Sequence, residues 1–447
     1  MIRLGAGSGF SSDRLQPAID LARDGELDWL VFETIGERTL AFGHRDRQLD
    51  ASKGYNPQLA KRMRGVLGHC HANGTRIMSN MGVANVSAAA EVVIGVAREL
   101  SLKGLKVAAL EGDEITDLMA PETVLFDFGG RRLEEVGKPL VGANVYLGID
   151  AMLPAVESGA DVVITGRVAD PSLFLAPLVN HFGWQTDDWE LMGRGTLVGH
   201  LMECGMQVTG GYFADPGFKD VSRLADCGYP IADVAEDGSV EISKLAGTGG
   251  RVSQRTVKEQ LLYEVHDPRK YLTPDVTADF STVVIDEVER DRVRVSNAGG
   301  RKRPDQLKVT VGFDGGYFGE AGVSYAGPGA SKRAELARDI LVELLDRIPG
   351  AQGTYRTDIV GLNAVHARAR AATDRQREIV EDVRLRVGMR TVDREAVEMM
   401  LWEVEALLCC GPAGGGGYRG QISPSVVTHS TMIDRDMVSP RVTIYEA

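Results

Sequence analysis

Short apolar runs alternate with stretches of helical periodicity through the first part of the chain. Residues 2–4 lead into a glycine-rich turn and a helix over 13–23, and 28–32 is an apolar run of strand length, followed by helical stretches to about residue 72. A further strand is expected at 75–79, then a long helix from Val86, a strand at 104–110, a helix over 150–158 and a strand at 161–164. Strands that are apolar on both faces need cover on both sides, and amphipathic helices between them supply it, so the pattern predicts βαβ units. The expected fold over residues 1–275 is α/β, a parallel Rossmann-like sheet with helices on both faces. Ligands of such sheets sit beyond the carboxyl ends of the strands, so the residues just past each strand are the ones to inspect.

After Pro274-Asp275 the rhythm changes to short alternating strands, and residues 276–447 read as a second, α+β domain. A hairpin is expected from 282–287 and 292–296, with a strand over 307–312, a helix over 332–346, strands near 354–361 and 383–387, and a helix over 394–408. That helix runs into Cys410-Gly411-Pro412-Ala413-Gly414-Gly415-Gly416-Gly417-Tyr418-Arg419-Gly420, and strands over 425–430 and 441–445 close the chain. Consecutive glycines are entropically unfavourable in regular structure, so the run implies a close approach of bare backbone. Exposed N–H groups at Gly414, Gly415 and Gly416, with Arg419 at the rim, would suit an anion, and the run would be the second domain's part of a shared cleft. A surface loop between helix and strand is the other reading.

Several strand ends carry polar groups. Gly5-Ala6-Gly7-Ser8-Gly9 comes after the first strand as a dinucleotide-binding turn would, with Gly7 and Ser8 as backbone and hydroxyl contacts, but its G-x-G-x-G spacing departs from that motif. Glu33 ends the second strand, and Asn80 comes just after the third. Glu111-Gly112-Asp113-Glu114 lies past the next, and Glu111 and Asp113 suit either a divalent cation or the cap of a helix. Thr165-Gly166-Arg167-Val168-Ala169-Asp170 sends out an arginine able to grip a carboxylate, together with a carboxylate of its own. In Gly199-His200-Leu201-Met202-Glu203-Cys204, the positions i, i+3 and i+4 place His200, Glu203 and Cys204 on one helix face, as acid, base and nucleophile candidates. Asp170 is a second candidate base. Gly249, Gly250 and Arg251 form another glycine cradle beside a cation.

Composition narrows the function classes. The chain has 447 residues, 43% hydrophobic and 25% charged, with a net charge of −13. That balance is globular, and its sign argues against a general nucleic-acid surface. Five cysteines without zinc spacing read as reduced thiols, and no apolar run approaches a membrane span, so a cytoplasmic protein is expected.

Together, the segments 5–13, 165–172, 199–211, 247–253, 275–281 (Asp-Val-Thr-Ala-Asp-Phe-Ser) and 411–417 resemble the acyclic terpene utilisation (AtuA) family over nearly the whole chain. The resemblance implies a role in degrading branched or terpenoid acids through CoA thioesters. Longer members of the family carry an additional small ferredoxin-like domain. A separate small partner subunit of that kind is therefore expected, or none is needed, and a chain of this size predicts a homo-oligomer.

The favoured function is acid–base catalysis on a small carboxylate or acyl-CoA thioester, hydration or dehydration first among the reactions. CoA would enter as part of the substrate. Arg167 and Arg251 would bind anions, Glu203 or Asp170 would act as base and His200 as acid. Three alternatives stay open: a hydrolase using the Cys204 thiol or a metal-activated water, a nicotinamide-dependent dehydrogenase, and a non-catalytic binding subunit of a larger complex.

Overall fold

Trp29–Glu33 and Val162–Thr165 are buried along their full length, which is why the chain covers them from both sides. In the computed structural model, which describes residues 1–365 and 380–447, they belong to a five-stranded parallel centre. Its strands are β1 (Ile2–Gly9), β2 (Trp29–Glu33), β3 (Arg76–Ser79), β4 (Lys106–Glu111) and β5 (Val162–Thr165), in spatial order β1-β2-β3-β5-β4. Antiparallel strands extend both edges. β6 (Pro230–Val234) pairs with β1 and is succeeded outward by β7 (Val240–Lys244), β9 (Arg292–Ser296) and β8 (Val284–Glu289), while β10 (Arg441–Glu446) pairs with β4.

The sheet is therefore mixed and ten-stranded, not the wholly parallel Rossmann-like sheet expected. Four of the added strands form two hairpins, β6–β7 and β8–β9, and strands joined by such short turns can pair only antiparallel.

Connectivity places the helices. From β1 to β4 the chain steps in one direction. Right-handed crossovers then put α1 (Gln16–Asp24), α3 (Leu59–Asn73) and α4 (Val86–Glu99) on one face, over a core that includes Leu30, Phe32, Val66 and Val93. α2 (Glu37–Leu49) starts just beyond the end of β2. The step back from β4 to β5 puts α5 (Ile149–Glu157) on the other face, where it packs on α6 (Ser172–Phe182), which packs on α7 (Trp189–Glu203). The connections leaving β3 and β5 thus diverge to opposite faces, which opens a crevice at their carboxyl ends.

The described chain forms two compact units, Met1–Gly312 with Thr428–Ala447, and Phe313–Val427. Residues 276–312 fold with the first. In the second, helices Ala330–Leu345 and Arg394–Cys410 cover strands Tyr355–Val360 and Asp382–Thr391 around Leu341, Leu385 and Val397. The strand expected at 307–312 continues unbroken to Ala326. Its inner glycines are there for close approach: a Cβ on Gly319 would meet Val397, and one on Gly322 the carbonyl of Leu385. Among the described residues no helix is long and apolar enough to cross a membrane.

Candidate active-site cleft

The first glycine series is strand, not turn: β1 runs through Gly9. Its register against β2 slips between Ala6 and Ser8, so Gly7 is an extra residue in the strand, a bulge that re-aims Ser8 and Gly9. A Cβ on Gly7 would strike the Phe32 ring, and one on Gly9 the backbone of Cys204. The dinucleotide-turn reading, and the dehydrogenase reading built on it, lose their support. Ser8 is buried and donates to the carbonyl of Glu33 at 2.7 Å.

Beyond the strand ends lies a cleft of about 890 Å³, lined by residues of the first unit that include Glu33, Glu37, Tyr146, Arg167, Asp170, Glu203, Cys204 and Lys308. The loop after β5 supplies Arg167. Gly166 must lack a side chain there, because a Cβ would meet the Asp113 carboxylate, which accepts the Arg167 backbone N–H at 2.7 Å. The guanidinium is buried over the Tyr146 ring, 4.0 Å from its centroid. Nη1 donates to the carbonyl of Ile35 at 2.5 Å, and Nη2 reaches Asp170 Oδ1 at 3.0 Å. Burial opposes its charge, but Asp170, Tyr146 and Glu33 together hold its pKa above the ordinary arginine value. Lys308 reaches Glu37 at 3.2 Å, and the Tyr146 hydroxyl donates to Glu37 at 2.8 Å. Burial alone would raise Glu37; Lys308 and these hydrogen bonds instead bring its pKa down to about 2.

α7 delivers Glu203. Asp188 caps the helix by accepting the Leu191 N–H, and Gly199 lets it lie against Pro171 at the start of α6. Glu203 Oε1 lies 2.9 Å from His200 Nδ1, while Oε2 is buried without a hydrogen-bond partner. His200 is wholly enclosed: Nε2 donates to the Leu261 carbonyl at 3.1 Å, and the ring sits among Tyr271 and Phe280 at 5.0 and 5.6 Å. With Nε2–H committed to a carbonyl, Nδ1 and Glu203 hold one proton between them. Burial pushes Glu203 up to about 7, against the lowering pull of His200. Burial likewise works against a charge on His200, but Glu203 raises its pKa.

Glu33 is held from behind. Its Oε1 accepts the Ile35 N–H at 2.7 Å and Asn80 Nδ2 at 3.2 Å, and Asn80 Oδ1 accepts the Thr34 N–H at 2.8 Å. Burial and then Asp170 push Glu33 well above the ordinary carboxylate range, beyond what Arg167 takes back. Asp170 is raised too, by burial, against the pull of Arg167.

Of the residues expected to carry chemistry, Arg167, Asp170, Glu203 and Cys204 line the cleft, with Ser8, Asn80 and His200 behind its walls and Gly7 in the bulge before it. His200 does not reach the cleft and is linked to it only through its contact with Glu203. The Cys204 thiol is pushed up by burial and by Glu203, the opposite of an activated nucleophile. Glu111 pairs with Arg441 at 2.9 Å, and Asp113 also accepts from Asn144 at 2.7 Å. Both carboxylates thus make contacts within the fold, and among the described residues no group of three or more His, Cys, Asp or Glu side chains is placed to hold a metal ion.

Gly249 and Gly250 serve packing: a Cβ would meet the carbonyl of Arg223 at the first and that of Thr209 at the second, and the exposed Arg251 donates its N–H to the Thr209 carbonyl at 2.7 Å. In the second unit, Gly414, Gly415 and Gly416 turn the chain from helix to strand. Gly415 lies against Tyr325, Arg333 donates to the Ala413 carbonyl at 2.9 Å and Arg384 to that of Gly417 at 3.0 Å; Arg419 is exposed. Glu33, Tyr146, Glu37 and Lys308 were not assigned from sequence. Only Glu33 left a signal there, a carboxylate ending an apolar strand.

No curated protein and no solved structure matches the chain. The model of one family, described as acyclic terpene utilisation family protein AtuA, matches residues 2–444. The chain belongs to that family, a membership that implies a part in acyclic terpene utilisation.

Proposed function

We propose that the cleft is the active site of a catabolic enzyme that moves protons on a small carboxylate or acyl thioester, adding or eliminating water in the breakdown of branched or terpenoid acids. One observation carries this reading: Glu203 stands on the cleft wall with one oxygen locked to His200, the other unpartnered, and a pKa of about 7. A base poised near neutrality is what general catalysis requires. Glu33, kept protonated by its surroundings, supplies the acid, and two carboxyl groups set apart by environment divide the roles. In the eliminating direction Glu203 takes the proton next to the carbonyl, Glu33 gives its proton to the departing hydroxyl, and water leaves. Arg167 and Lys308 meet the negative charge that gathers on the carbonyl oxygen.

The test is turnover of a matched enoyl and 3-hydroxyacyl thioester pair, monitored by enoyl absorbance. Glu203→Gln is expected to lower kcat roughly a hundredfold or more, while Cys204→Ser keeps it within a few-fold. Loss with Cys204→Ser and full turnover with Glu203→Gln would overturn the assignment in favour of the thiol.

A further inference from the structure

Four residues of the cleft, Tyr146, Arg167, Asp170 and Lys308, also wall a second, smaller chamber of about 190 Å³. Its other sides are apolar: Tyr271, Leu272, Pro274, Pro304, Leu307 and Met432 contribute. Two of the polar side chains in its lining, Thr273 and Gln306, are engaged elsewhere. The Thr273 hydroxyl donates to the Val276 carbonyl at 3.0 Å, and Gln306 donates to Asp434 at 2.8 Å. In the shared wall Arg167 is paired with Asp170 and Lys308 with Glu37, so the net charge facing the chamber is small. Away from the shared wall, such a lining offers a guest mainly apolar contact area. Leu272 and Met432 are 55% and 38% exposed, large apolar side chains left partly in water beside it.

We propose that this chamber is a subsite for a short hydrocarbon chain, the apolar end of the molecule whose polar head meets Glu203. The inference rests on the acid–base reading of the cleft. At roughly 30 Å³ per water-sized unit, the volume admits a chain of about six heavy atoms. The chamber and the cleft share the Arg167–Asp170 pair, so a chain lying in the chamber would direct its head group past that pair toward Glu33 and Glu203. Occupation would cover Leu272 and Met432.

Calorimetric titration of the unmodified protein with straight-chain acids from propanoate to decanoate tests this. Affinity is expected to rise about fourfold per methylene, the change that roughly 0.8 kcal/mol per buried CH₂ converts to, and to level off once the chamber is full. Leu272→Asp and Met432→Trp, both at partly exposed positions, are expected to weaken octanoate about tenfold or more and to leave propanoate unchanged. A flat series in the unmodified protein, or equal losses for long and short chains in both variants, would overturn the subsite. Glu203→Gln separates the two claims. It should keep the chain-length series while losing turnover, so a flat series with Glu203-dependent turnover removes the chamber alone. A rising series with turnover indifferent to Glu203 removes the acid–base reading and, with it, the head-group half of this proposal.

Discussion

A Cβ at Gly9 would press on the backbone of Cys204 and Gly205, the end of the helix that carries Glu203, whereas one at Gly68, exposed on α3, would meet nothing within 4 Å. Backbone cannot rotate out of the way as a side-chain tip can. Gly9→Ala is therefore expected to cost about 1–3 kcal/mol, and Gly68→Ala to gain about 0.5–1 kcal/mol through the unfolded chain and helix propensity. Urea unfolding should show midpoints moving in opposite directions; movement in the same direction would contradict the packing account. The same contrast explains what could be read beforehand. Glycines at alternate positions looked like a turn because sequence does not say what lies across from a residue. Arg167, Asp170 and Glu203 were legible because each comes after an apolar run or shares a helix face. The acid role proposed for Glu33 was not, since its raised pKa comes from burial in the folded chain and then from Asp170, which is distant in sequence. Lys308 gave no sign at all, being one polar position in an alternating strand.

Asp275 shows how one side chain can fasten two elements. Its Oδ1 accepts the Ile149 N–H at the start of α5 at 2.8 Å, and its Oδ2 accepts the Ser172 hydroxyl at the start of α6 at 2.5 Å. The Asp-Val-Thr-Ala-Asp-Phe-Ser segment, which the sequence marked only by resemblance, therefore has a structural task at the helix starts behind the cleft. Burial pushes Asp275 up to about 6. Between its ordinary value near 4 and this one, the unfolded chain has released a proton that the folded chain still holds, so stability falls as pH rises through that window. Asp275→Asn keeps the acceptor for Ile149 and can donate to Ser172 without ionising. It should make the fall between about pH 4 and 6 shallower, by on the order of 2 kcal/mol. An unchanged slope would place the Asp275 proton elsewhere. At this level the parallel strands and their helices were legible because buried strands read as unbroken apolar runs. The β6–β7 hairpin was missed, since two short strands beside a polar turn give little period to detect.

Composition argued against a general nucleic-acid surface but could not say where the excess of acidic groups is used. Part of it stands in the first unit's cleft, where Glu33, Glu37, Asp170 and Glu203 surround Arg167 and Lys308. Family membership says in what utilisation the chain takes part, and the chemistry proposed for it depends on one ionisation. The direct measurement is a carboxyl titration by isotope-edited infrared or carbon NMR on the unmodified protein, Glu203→Gln and His200→Asn. A carboxyl is expected to titrate at about 7, absent from Glu203→Gln and moved to higher pH in His200→Asn, because His200 favours the ionised glutamate. Identical titration curves for the unmodified protein and Glu203→Gln around neutral pH would contradict it.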